Sequence, residues 1–223
     1  MDENLSFLLA DISSFFGLLP TSIALLRFRL ANRTQRLLSI LVWGSLGVSL
    51  AAFSLGFFWG APNLYLLHLY TIFNFIMLTL IFRPILNQRL TNILLVVFPL
   101  FAAINSLFFE RLVTFNVLSR SISAFFIMLY ALSFFTTALK EMKIVRLEKA
   151  PIFWVSVGAL FYNAASFFIF LFSMDLVPFK SMWFTYFGIH SIFTILLYLF
   201  YTIALWIQAE KPSTYHSNSF LES

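Results

Sequence analysis

Seven runs of mostly apolar residues, separated by short polar breaks, occupy nearly the whole chain at about 5–27, 37–59, 64–82, 90–109, 117–139, 152–172 and 182–207. Each is close to the roughly 20 apolar residues that a helix needs to cross a hydrocarbon core of about 30 Å. The breaks carry turn or charge chemistry: Gly60-Ala61-Pro62-Asn63, Arg83-Pro84 with Asn87-Gln88-Arg89, Lys149-Ala150-Pro151, and Asp175 to Lys180 around Pro178. The pattern predicts an all-α polytopic membrane protein, one seven-helix domain over 1–207 and a short tail over 208–223, rich in Ser, Thr and Asn and expected to be disordered.

Composition agrees: 61% of the 223 residues are hydrophobic and only 10% are charged, too little polar surface for a soluble globule of this length. The start, Met1-Asp2-Glu3-Asn4, is acidic where a signal peptide carries basic residues, so the first run is expected to stay as a helix. The absence of cysteine excludes disulfides, thiolate metal sites and a cysteine nucleophile.

The net charge of +5 is explained by topology rather than by nucleic-acid binding. Arg27, Arg29, Arg33, Arg36, Arg83, Arg89, Lys140, Lys143, Arg146, Lys149 and Lys211 fall on one side of the expected bundle, and only Arg111, Arg120 and Lys180 on the other. Cytoplasmic loops carry the excess of Lys and Arg, which places the N-terminus outside and the C-terminus in the cytoplasm of a bacterial inner membrane. Trp59 and Trp183 then sit at the outer interface, Trp154 and Trp206 at the inner one.

Small residues of the second run, Ala52, Gly56 and Gly60 preceded by Gly44, Gly47 and Ser49, suit close helix packing, either within the chain or in a homodimer. Pro20 and Pro99 are expected to kink the first and fourth helices.

Ionisable and amide side chains at membrane depth are expensive and usually face a bundle interior. Asp11, His68, Asn105, Arg120, Asn163 and His190 lie on six different runs, all in the half nearer the outside. This one-sided distribution predicts a polar cavity open to the outside. Tyr186, His190 and Thr194 recur every four residues on one face of the last run, continued by Tyr198 and Tyr201; Ser156, Asn163 and Ser166 share a face of the sixth. In a sequential ring of seven helices the first and last are neighbours, so an Asp11–His190 pair at similar depth is sterically possible. The ligand-binding or pH-sensing candidates are thus Asp11, His68, Asn105, Arg120, Asn163, Tyr186, His190 and Thr194. Their simpler readings are interfacial placement for Arg120 and His68, and helix-to-helix hydrogen bonding for Asn105 and Asn163.

No catalytic signature accompanies these residues. Paired carboxylates, a Ser–His dyad and metal-ligand spacing such as HExxH are all missing, so no catalytic residue, metal or cofactor is assigned. The last run has no lysine for a retinal Schiff base. A transporter built from two matched triplets of helices should repeat its prolines, and Pro20 has no counterpart in the fifth run.

Four segments resemble a family of short seven-helix membrane proteins from Bacteroidetes-type bacteria: LYLLHLYTIFNFIMLTLIFRPIL at 64–86, FNVLSRSISAFFIMLYALSFF at 115–135, PIFWVSVGALFYNAASFFIFLF at 151–172 and HSIFTILLYLFYTIALW at 190–206. The Pro-x-Phe-Trp start of the sixth run and Phe-Asn-(x)3-Arg before the fifth are the more specific parts. The chain departs from the family at Asn74, where its members often carry an acid. By analogy with sensor modules associated with histidine kinases, the resemblance implies a receptor or sensor signalling through a cytoplasmic or membrane partner. Lys140, Lys143, Arg146 and Lys149, in the longest cytoplasmic connection, are the candidate docking residues. The competing expectations are a small-solute transporter or channel and an intramembrane lipid-modifying enzyme.

Overall fold

The computed structural model describes residues 3–60, 62–141, 146–171 and 180–207, and every regular element among them is helical. In chain order these are α1 (Glu3–Phe16), α2 (Leu18–Arg27), a 3-10 turn (Phe28–Leu30), α3 (Arg33–Trp59), α4 (Tyr65–Phe82), α5 (Gln88–Phe108), α6 (Val117–Glu141), a second 3-10 turn (Leu147–Lys149), α7 (Pro151–Leu171) and α8 (Lys180–Trp206). With α1, α2 and the first turn taken together, seven helical segments are long and apolar enough to cross a membrane, and they coincide with the seven apolar runs to within a few residues. Lys143, the 172–179 connection and the 208–223 tail lie outside the described residues.

The polar breaks act as helix caps. Asn32 starts α3 with a capping box: its side chain accepts from the Gln35 backbone N–H at 2.9 Å, and the Gln35 side chain accepts from the Asn32 N–H at 3.1 Å. Asn87 caps α5 by accepting from the N–H groups of Arg89 and Leu90. Pro151 opens α7, where its missing N–H deprives the helix of nothing. Gly60 ends α3 in the left-handed conformation, φ 56°, which favours a residue without a Cβ.

The two prolines act differently. Pro20 has no N–H to offer the carbonyl of Phe16 and its ring crowds that carbonyl, and the first span breaks at Gly17, between α1 and α2. α5 runs through Pro99 without a break.

Lateral neighbours close a ring. α8 packs on α1, α2 and α7; α7 packs on α6, α6 on α4, α4 on α3 and α3 on α2. The first and last spans are neighbours, as expected, but the ring has six spans rather than seven. α5 lies outside it, against α4 and α6, because its buried residues Thr91, Leu94, Phe98, Ala102 and Asn105 form one narrow stripe. Phe98 of that stripe stacks on Phe75 of α4, with ring centroids 3.8 Å apart.

The dry core occupies the end of the bundle where α2 leads into α3 and α8 terminates, here called the base. Leu38, Leu41, Phe75, Leu78, Ile81, Phe82, Ile127 and Val155 are fully buried there. Outside, large apolar side chains are bare on the ring and on α5, among them Leu26 (79% exposed), Phe108 (78%) and Phe57 (72%). Soluble monomers rarely carry so much exposed apolar surface, and it agrees with segments apolar enough to cross a membrane.

Of the small residues on α3, Gly44 is used for close packing within the chain. A Cβ there would collide with the Phe73 ring of α4, whereas one on Gly47 would meet nothing within 4 Å. Gly44→Ala is therefore expected to destabilise the protein by about 1–3 kcal/mol, and Gly47→Ala to leave stability unchanged. Unfolding midpoints in mild detergent check the contrast, and equal midpoints would contradict it.

Candidate functional site

Towards the end opposite the base, the ring is not filled. A cavity of about 300 Å³ lies between α3, α4, α6, α7 and α8, with Ser45, Tyr70, Arg120, Tyr162, His190 and Thr194 among its walls and Asn63 at its upper end. A chamber of about 50 Å³ continues toward the core, sharing Ser45, Tyr70, Arg120, Tyr162, Thr194 and Tyr198, and adding Asn74, Ser123, Asn163, Ser166 and Tyr201. The upper volume is at the small end of the ordinary range for small-molecule sites, and the chamber has room for a few waters.

Helical periodicity assembles these walls. On α8 the inward residues are His190, Thr194, Leu197, Tyr198 and Tyr201, and on α6 they are Arg120, Ser123 and Ala124, spacings that keep side chains on one face. The centre of the site is Tyr162 of α7. Arg120 donates from its guanidinium to the Tyr162 hydroxyl oxygen at 2.9 Å, and His190 Nε2 lies 3.2 Å from the same oxygen. One hydroxyl thereby links three helices. On the facing wall, Ser45 gives its own proton to the Leu41 carbonyl at 2.8 Å, so at 3.1 Å the Tyr70 hydroxyl is the donor to Ser45. The Ser166 hydroxyl lines the chamber, is 2% exposed and has no hydrogen-bond partner among the described residues. A buried hydroxyl in that position calls for water or a ligand group.

Of the eight expected residues, Arg120, Asn163, His190 and Thr194 line this space. Arg120 faces the cavity rather than the bundle's rim. Asn163 also donates to the Ala159 carbonyl at 2.7 Å, so it is partly occupied within its own helix. Tyr186, one turn above His190, is half-buried and does not line the cavity.

The Asp11–His190 pair that adjacency of the two helices would allow does not form. α1 does pack on α8, but Ser6 and Ser13 make the buried face of α1 while Asp11 is on its exposed face, and His190 turns to Tyr162 instead. The adjacency of the two helices is as expected; the rotation of α1 about its own axis separates the two groups.

His68 and Asn105 are buried away from the cavity, where they tie the upper connections together. His68 Nδ1 is 2.6 Å from Ser106 Oγ, and its Nε2 is 3.1 Å from the Thr114 carbonyl. A carbonyl only accepts, so Nε2 carries the hydrogen there. Asn105 Nδ2 donates to Glu110 at 2.6 Å and to Ser119 at 3.0 Å, while the other Glu110 oxygen accepts from the Leu118 N–H at the start of α6. Asn116, in the Phe-Asn-(x)3-Arg segment, donates to Thr71 Oγ1 at 2.6 Å and so fixes the start of α6, and with it Arg120, against α4.

Tyr70 and Tyr162 were missed by sequence reasoning, although a signal was present. The chain uses Phe 31 times and Tyr 8 times, so a tyrosine within an apolar run is a departure from its default aromatic residue. Tyr70, Tyr162, Tyr198 and Tyr201 all turn out to line the cavity. Among the described residues, no three His, Asp or Glu side chains are grouped so that they could hold a metal ion.

At the base, Lys140 and Arg146 are exposed and Lys149 is half-buried. Trp154 donates its indole N–H to the Glu148 carbonyl at 2.8 Å, which fixes the Leu147–Lys149 turn against α7.

Comparison with known proteins adds no relative: no family model matches the chain, and neither a curated protein nor a solved structure does.

Proposed function

We propose that this chain is a receptor-like seven-helix module of a bacterial inner membrane, with its N-terminus outside, that perceives a small ligand in the central cavity and signals through a partner at the base. The observation that carries the reading is the cavity itself, in which Arg120, Tyr162 and His190 from three helices meet at one hydroxyl. Such a junction is sensitive to small relative movements of α6, α7 and α8, so a ligand that prefers one arrangement shifts the population of bundle states. The packed core closes the cavity toward the base, which suits perception from one side better than passage through the bundle. The concentration of Lys and Arg on the base connections supports the cytoplasmic orientation, and Lys140 and Arg146 there are exposed residues suited to docking a protein such as a histidine kinase, with Lys149 beside them.

A ligand that binds only the folded protein stabilises it by about 2.7 kcal/mol at a hundred times its dissociation constant. Purified protein in nanodiscs is therefore expected to show a raised unfolding midpoint with at least one compound from a panel of small anions, neutral metabolites and lipids. Crosslinking in the native membrane is expected to recover a kinase or other regulator. Solute flux in proteoliposomes would instead make the chain a transporter, lipid turnover would make it an enzyme, and either result would overturn the receptor reading.

A further inference from the structure

The wall of the cavity is open on one side. Ser49 of α3 lines the cavity and is also exposed, and it lies ten residues from the end of its helix at Trp59, or about 15 Å at 1.5 Å per residue. An opening thus lies in the flank of the bundle, well below the end of α3. A Cβ on neighbouring Gly47 would meet nothing within 4 Å, and one on Gly56 only the Asn63 side chain at 3.7 Å. The break at Gly17 explains the gap. α2 fills the space between α3 and α8 near the base, whereas α1 follows α8, with the Ser6 hydroxyl donating to the Phe184 carbonyl at 2.8 Å.

Inside this mouth the chemistry is graded. Val48, Ala52, Leu66 and Leu67 give the upper cavity apolar walls. Further in are the Arg120 guanidinium, whose planar fork matches carboxylate and phosphate oxygens, the tyrosine hydroxyls, and the buried Ser166 hydroxyl that lacks a partner among the described residues. A passage lined by these apolar side chains together with Ser49 and Asn63, leading to hydrogen-bond donors, fits a molecule with an apolar chain and a polar head. Resting on the receptor reading, we propose that the cavity takes a single-chain amphiphile with a small anionic head, a carboxylate or a phosphate, which enters sideways from the bilayer between α3 and α8 and places its head at Arg120.

The test uses the full chain in nanodiscs, with empty nanodiscs as the partition baseline, and titrates dodecanoate, dodecyl phosphate, dodecanol and butyrate. At least one of the two dodecyl anions is expected to bind saturably and at least tenfold more tightly than either dodecanol or butyrate; which anion wins identifies the head. Arg120→Gln is expected to weaken that binding at least tenfold, with Arg120→Lys retaining part of it. Ser49→Trp, at an exposed position that tolerates a large side chain, is expected to slow association at least tenfold while the unfolding midpoint stays that of the wild type. Butyrate binding as tightly as the dodecyl anions would overturn the amphiphile and leave the receptor reading standing. Dodecyl binding indifferent to Arg120→Gln, or association indifferent to Ser49→Trp, would overturn the headgroup site or the side access respectively. If none of the four binds, the proposal fails; if no compound of the wider panel stabilises the protein either, the receptor reading falls with it.

Discussion

Gln35→Leu is expected to destabilise the protein by about 2–4 kcal/mol, the largest stability effect of any single polar replacement in the bundle. Gln35 is 5% exposed, and its amide connects the first turn of α3 to the last turn of α8. The amide oxygen accepts from the Asn32 N–H, while the nitrogen donates to the carbonyls of Ala204 at 2.9 Å and Ile207 at 2.8 Å. The carbonyls at the end of a helix lack intrahelical partners, and here a neighbouring helix supplies a partner. Leucine has similar bulk and removes these bonds and a longer one, 3.4 Å, to the Leu205 carbonyl, which leaves carbonyl groups buried without this donor. The Arg27 guanidinium, at the end of α2, lies 5.1 Å from the Trp206 ring, a second clasp on the end of α8. Reversible unfolding in mixed micelles measures the effect. A loss below about 0.5 kcal/mol, the level of an ordinary surface change, would show that water or detergent serves the α8 end as well as Gln35 does.

Tyr162→Phe is expected to have the largest effect on ligand response while leaving the bundle assembled. The change deletes a single oxygen, the one that accepts from Arg120 and lies against His190. A hydrogen bond to a charged donor contributes about 1.5–3 kcal/mol, so a stability loss toward the lower end of that range is expected from a site that water can enter. If the hydroxyl positions the guanidinium for a ligand, affinity is expected to fall at least tenfold, or about 1.4 kcal/mol. Tyr65→Phe serves as the control, because Tyr65 is 36% exposed and does not line the cavity. A wild-type response retained in both variants would remove Tyr162 from the site. A response lost in both would point to a general fault in folding.

Much of the architecture was legible because hydrocarbon imposes a simple condition: backbone polar groups must be satisfied within each crossing segment. Seven apolar runs therefore became seven apolar helical segments, and the polar breaks became the caps at Asn32, Gly60 and Asn87. The concentration of polar groups away from the base was legible too, and the cavity lies there. Less was visible where rotation decides the outcome. Asp11, His68 and Asn105 have suitable depth, yet one is exposed and two are committed to neighbouring helices and loops. A helix turns about 100° per residue, so an error of one or two residues in facing turns an inward position to the side or outward. In these segments the periodic signal is weak, because apolar residues suit both lipid and core and the sequence seldom distinguishes the two faces.

What the sequence determined by itself, then, is the number of helical segments, their ends, and the half of the bundle in which polar groups gather, since each follows from local hydrophobicity and capping. The tertiary structure alone decided that α5 stands outside the ring, that Asp11 and His190 part company, and that Tyr162 joins Arg120 to His190. Those outcomes depend on how helices rotate and pack against one another, and packing is settled by shape between segments distant in the chain. The flank between α3 and α8 is open for the same reason: Pro20 broke the first span at Gly17, and α1 followed α8.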